Sequence, residues 1–188
     1  PPAPGSLVLN AGQLNGFGAA SLLIGGVRKF GPDGTSVTVK TNRLTVDNAG
    51  TPLTGSDIVL VSNQNLTLAP GAAITVTGSQ AGSADTILLG SSTAGSGDGL
   101  LVRLSSDPNA QVVRSGVSAS NVPQMTVGAG VILSGPSVTL DSTYGTSLDP
   151  LAVLQAGEIA LNSGQITIAL QNAGMIAPTA GLVLAGPA

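Results

Sequence analysis

The chain of 188 residues contains no cysteine, no histidine and no tryptophan. Without Cys there is no disulfide framework, no thiol chemistry and no Cys-based zinc site. Without His the commonest general base, the commonest metal ligand and every Ser-His-Asp arrangement are excluded. Aromatic residues make up only 2%, so the core cannot be filled as in most enzymes. Charge is scarce too: 8% of residues are charged, against about a quarter in ordinary globular proteins. Six Lys and Arg face nine Asp and Glu, for a net charge of −3. A cation-poor surface does not suit a polyphosphate backbone, so nucleic acid is excluded as a partner. The most apolar stretch, Leu7 to Val27, is broken by Asn10, Gln13, Asn15 and several Gly. It does not read as a spanning helix of about 20 apolar residues. The first residues, PPAPGS, form no basic n-region or apolar h-region. Both ends read as cuts within a longer protein, or as mature ends after processing.

What remains is small and apolar. Mean hydropathy is +0.42, which argues against intrinsic disorder. One triplet recurs: apolar, Thr, apolar. It occurs at Val37-Thr38-Val39, Leu44-Thr45-Val46, Leu66-Thr67-Leu68, Ile74-Thr75-Val76, Met125-Thr126-Val127, Val138-Thr139-Leu140 and Ile166-Thr167-Ile168. Variants without Thr are Ile58-Val59-Leu60, Ile87-Leu88-Leu89, Val131-Ile132-Leu133, Ile159-Ala160-Leu161 and Leu182-Val183-Leu184. A period of two with β-branched residues marks strands, and no window sustains a helical period. The strands are expected to be about three to five residues long. Ile58, Leu66 and Ile74 follow one another at intervals of eight residues, separated by tight Asn, Gly and Gly-Ala bends. Two-residue hairpin turns are few, the Asp-Gly cases being Asp33-Gly34 and Asp98-Gly99.

Three short strands joined by tight bends make one coil of a β-solenoid, which stacks on the next at ~4.8 Å. The expected fold is therefore all-β, a parallel β-helix of about nine coils and near 45 Å long. An antiparallel sandwich or open meander is the alternative. Within the solenoid the flanking residues of each triplet point inward. Thr38, Thr45, Thr67, Thr75, Thr126, Thr139 and Thr167 face solvent. Residues 1–36 are weakly periodic and form N-terminal coils or a cap. Residues 37–188 form the coils of a single domain, with a loop at 91–99 and a polar excursion at 107–123.

Little in the chain points to chemistry. Glycan-cleaving β-helices need clustered carboxylates. Here Asp33, Asp47, Asp57, Asp85, Asp98, Asp107, Asp141, Asp149 and Glu158 are scattered, mostly beside turn-forming residues. Gly95-Ser96-Gly97-Asp98-Gly99 is one imperfect unit of a Ca²⁺ repeat that requires several, and reads as a loop. Gly16-Phe17-Gly18 lacks the Lys and helix of a phosphate cradle. Asn65-Leu66-Thr67 is a glycosylation sequon only formally, because Thr67 lies within a strand. An outward Thr array could order water, but a paired Thr-x-Thr occurs only at Thr75-Val76-Thr77. Asn63, Asn65, Asn162 and Asn172 suit stacked amide ladders at bends. Arg28-Lys29, Lys40-Arg43, Arg103 and Arg114 read as solvated charges that discourage lateral aggregation. No catalytic, cofactor-binding or metal-binding residue is assigned.

Residues 56–78, SDIVLVSNQNLTLAPGAAITVTG, and 156–168, AGEIALNSGQITI, resemble the coils of filamentous haemagglutinin-like exoproteins of two-partner secretion. The likeness runs from Val37 onward and is one of repeat style, shared with autotransporter passengers and other large bacterial adhesins. It implies a right-handed β-helix, export through an outer-membrane transporter, and a non-enzymatic role at the bacterial cell surface. The chain would be shaft rather than secretion domain, since the Asn-rich docking motifs of the latter are not matched. The implied partners are that transporter and a receptor or glycan on a host or neighbouring cell. End-to-end self-association into filaments and action on polysaccharide are the alternative roles.

Overall fold

The computed structural model describes residues 5–78, 84–90, 97–118, 121–168 and 176–185, with side chains as far as Ser163. The fold is all-β, with 55% strand and 3% helix. The helix is α1 (Ala11–Asn15). The strands are β1 (Leu22–Ile24), β2 (Gly26–Gly31), β3 (Gly34–Val39), β4 (Arg43–Val46), β5 (Leu53–Gly55), β6 (Asp57–Ser62), β7 (Asn65–Leu68), β8 (Ala73–Val76), β9 (Ile87–Leu89), β10 (Leu100–Ser105), β11 (Val112–Arg114), β12 (Gln124–Val127), β13 (Ile132–Leu148), β14 (Val153–Ile168) and β15 (Ile176–Ala185).

Eleven strands form one curled sheet, because β13 and β14 bend and take part in three successive ladders. In the first ladder Leu44, Leu66, Met125, Thr146 and Ile166 are in register along β4, β7, β12 and the C-terminal parts of β13 and β14. The second runs Leu53, Ile74, Leu133, Leu154, Ile176 along β5, β8, β13, β14 and β15. The third runs Leu22, Ile58, Leu104, Val138, Ile159, Leu182 along β1, β6, β10, β13, β14 and β15. Every pairing in the three is parallel except those of β10, which is antiparallel to both β6 and β13.

The inward columns make the main core. Leu66, Ile74, Leu133, Leu60, Val102, Leu104, Leu140 and Leu154 have no exposed surface. Such columns need aliphatic residues of similar size, so the scarcity of aromatics follows from the packing. At the N-terminal end, Ala11 and Leu14 of α1 lean on this core. Asn15 donates to Pro52 O at 3.0 Å and accepts from Thr54 N–H at 2.8 Å, which covers part of the β5 edge.

A second sheet, in the order β11-β9-β3-β2, lies over the outer side of the third ladder. Val37, Ile87 and Leu89 from this sheet meet Val59, Val61 and Leu101 from β6 and β10 in a separate apolar cluster. Every residue of β6 and β10 is buried as a result. That explains their unbroken apolar runs, the pattern of strands covered on both faces. Gly25 lets the chain step from β1 up to β2. Its φ is +97°, and a Cβ there would lie 2.0 Å from Val61 O.

The second sheet also alters the expected solvent face. Thr38, Thr45 and Thr126 are exposed, and Thr67 and Thr75 are half-buried between their inward neighbours. Thr139 is buried, at 6% exposure, contrary to expectation. It is in register with Arg103 on the covered face. Thr167 lies outside the described side chains. Strand lengths differ too. β13 has 17 residues and β14 has 16, because their bends keep extended backbone and pairing resumes beyond each, with a one-residue register shift between Ser142 and Gly145. The longest ladder among the described residues holds six strands and not nine. Ile87–Leu89 and Val112–Arg114 pair in the second sheet and not in the ladders.

Candidate functional site

Four charged side chains form two buried pairs at the seam between the two sheets. Arg103 projects from β10 and is 1% exposed. Its Nε donates to Asp57 Oδ1 at 2.9 Å, Nη1 to Gln111 O at 2.7 Å and Nη2 to Asp85 O at 2.9 Å. Asp57 takes a further hydrogen bond from the Ser21 hydroxyl at 2.7 Å. One guanidinium thus joins the start of β6 to the residues entering β9 and β11. A second pair is reciprocal: Arg114 projects from β11 in the outer sheet and bonds Asp141 of β13 through Nε at 2.6 Å. Arg114 also donates to Gly97 O. The charge on each Arg is neutralised and its donors engaged, the condition for tolerating buried ions.

Two expectations are corrected by this geometry. Arg103 and Arg114 are not solvated surface charges but buried pairs that fasten the sheets. Asp57 and Asp141 are not turn residues but strand residues serving as counter-ions. The turn reading does describe Asp33, in the bend between β2 and β3, and Asp149, which accepts from Leu151 N–H at 2.9 Å. Asp107 also organises local backbone. It accepts from Asn109 N–H at 2.8 Å and Ala84 N–H at 2.7 Å. These donors, led by Asn109, hold its carboxyl below the ordinary 3.8. Asp98 accepts from Ser118 N–H at 3.1 Å and from the Ser118 hydroxyl, so the carboxylate of the Gly-rich loop is engaged within the chain. Residues 91–96 of that loop lie outside the described residues.

The amide ladder reading holds in part. Asn63 Nδ2 donates to Asn42 Oδ1 at 3.4 Å, and Asn162 Nδ2 to Asp141 Oδ2 at 3.4 Å, each across one rung. Asn48, not singled out from the sequence, both donates to Ala73 O at 2.7 Å and accepts from Ala73 N–H at 3.0 Å. Asn172 lies outside the described residues.

Among the described residues, two surfaces gather hydroxyl or amide groups. One is an outward hydroxyl row in which Thr45, Thr67, Thr126 and Ser147 are in register, one per strand. The other is an open cavity of about 300 Å³ lined by Asn63, Gln64, Asn65, Asn121, Val122 and Pro123. Its amides can donate and accept, but no acid, base or nucleophile lines it. Among the described residues no group of three or more acids could hold a metal ion. Phe17 and Phe30 are exposed, at 69% and 70%, and Tyr144 is partly exposed. Comparison with protein-family models, with curated proteins and with solved structures gave no match.

Proposed function

We propose that this chain is a non-catalytic shaft segment of a secreted bacterial surface adhesin, built as a right-handed parallel β-helix. The observation that carries this reading is the register. Leu44 and Leu66 are 22 residues apart, and Leu53 and Ile74, Leu133 and Leu154, and Val138 and Ile159 are each 21 apart. These steps recur at 21 or 22 residues, as successive coils of a solenoid do, while Leu66 to Met125 and Ile74 to Leu133 each span 59. The buried charges support a mechanical role, since they fasten layers together and do not line the cavity at Asn63 and Asn121. The absence of Cys suits export as an extended chain through an outer-membrane transporter, the partner this reading implies. A receptor or glycan on a neighbouring cell would be met elsewhere on the assembled fibre. The α1 cover over β5 weighs against end-to-end stacking of separate subunits at that end.

The experiment is to duplicate one period, residues 132–152, in tandem. A shaft accepts the added coil, keeps its denaturation midpoint, and lengthens by ~4.8 Å in small-angle scattering. Misfolding or aggregation of the duplicated chain would overturn the reading. So would release of reducing ends or unsaturated sugars when the chain is incubated with acidic polysaccharides.

A further inference from the structure

We infer that the open edge of β2 is a docking site for an extended, acidic segment of a partner protein, which adds to the outer sheet as a fifth strand. Among the described residues β2 pairs with β3 alone and ends the outer sheet. The turn at Pro32-Asp33 closes on the Gly31 and Gly34 pair, which in a two-residue hairpin is hydrogen-bonded. Bonded and non-bonded pairs then alternate. Lys40 N–H donating to Gly25 O at 2.8 Å keeps the same phase at the far end. The N–H and C=O groups of Arg28 and Phe30 therefore point away from β3, toward the open side.

The side chains define the chemistry of the occupant. Of the six cations, two are locked in the buried pairs with Asp57 and Asp141. Three of the remaining four, Arg28, Lys29 and Lys40, lie on this one hairpin, against a single acid, Asp33, at its tip. The hairpin is thus basic on an otherwise acidic chain. Val27 and Phe30, at 59% and 70% exposure, add apolar surface along the same strand. Backbone groups give strand addition its affinity and side chains its selectivity. A second copy of this chain is a poor occupant, because two β2 edges would set Arg28 and Lys29 against each other. An acidic strand with alternate apolar residues satisfies both the backbone and the charge.

The test is fluorescence anisotropy with two labelled probes, a short peptide alternating Glu and Val and its counterpart alternating Lys and Val. The acidic peptide should bind saturably, about tenfold or more tightly than the basic one, and weaken as salt rises. Phe30→Pro removes an N–H on the open side only, a substitution that edge strands tolerate. It should weaken binding of the acidic peptide about tenfold while circular dichroism stays unchanged. Lys29→Glu, on an exposed side chain, should reduce the preference for the acidic peptide without touching the ladder. Absence of saturable binding would overturn the proposal. So would equal affinity for the two peptides, or binding unaffected by both substitutions.

Discussion

Thr146 offers the sharpest test of the register. It occupies the inward column of the first ladder, between Met125 and Ile166, at 3% exposure. Its hydroxyl is the one buried side-chain polar atom among the described residues without a hydrogen-bond partner. An unpartnered buried hydroxyl costs about 1–3 kcal/mol, whereas a methyl of nearly the same size would gain from the same surroundings. Thr146→Val should therefore raise stability by about 1 kcal/mol, or about 2–4 °C in Tm for a chain of this size. Thr146→Ser keeps the hydroxyl, removes the methyl, and should lose about 1 kcal/mol through the void it leaves. Thr126→Val, on the exposed side of the neighbouring strand, should change stability by about 0.5 kcal/mol or less. Urea denaturation of the three variants decides the matter. The inward assignment fails if Thr146→Val gains nothing, or if Thr126→Val gains as much.

Arg103→Met should cost about 3–5 kcal/mol in urea denaturation, because it strands the Asp57 carboxylate in the seam. Adding Asp57→Asn should recover a large part of that loss. Ile74→Asp places a charge in a fully buried column and should lose about 3 kcal/mol or more, against about 0.5 kcal/mol or less for the half-exposed Thr75→Asp. Thermal melts compare the two. Asp107 has its folded pKa depressed by backbone donors. Its contribution is present above the unfolded value near 3.8 and is lost as pH falls below that toward the folded value. Asp107→Asn should flatten this part of the acid limb when stability is followed between neutral and low pH.

The first two ladders were legible because one of their faces is wet. Leu66-Thr67-Leu68 and Met125-Thr126-Val127 alternate as a half-buried strand must, with Leu66, Leu68, Met125 and Val127 buried. The third ladder carried a different pattern in Ile58-Val59-Leu60-Val61 and Leu100-Leu101-Val102. Those runs announce burial on both faces but not what covers them. The cover comes from Gly26–Val39, Ile87–Leu89 and Val112–Arg114, brought together from distant parts of the chain. The stretch read as a polar excursion therefore contains a sheet strand. Arg103 inside an apolar run was the local sign of a buried pair, yet Asp57 is 46 residues away and no periodicity links them. The reversal of β10 leaves no trace in sequence, since parallel and antiparallel strands share one alternation. The open edge of β2 was visible only as two adjacent cations beside Phe30.

That reversal has a consequence for the order of folding. In the first two ladders each strand can settle directly on its predecessor, even where the chain detours. Leu66 to Met125 spans 59 residues where Leu44 to Leu66 spans 22. The longer loop adds only about 1 kcal/mol of closure entropy, so the detour itself is a minor barrier. The third ladder is different, because the middle of β13 meets β6 only through β10. Until β10 has turned back and wedged into place, residues 137–142 have no template on that side, and the strand is held only at its two ends, by β8 and β12. Zipping from the N-terminus should stall there, with residues 5–78 assembled and the later rungs waiting. Pulse-labelled hydrogen exchange would register the stall as early protection of β6 through β8 and a lag before β13 and β14. The reversed strand would then act as the gate through which the second half of the molecule folds.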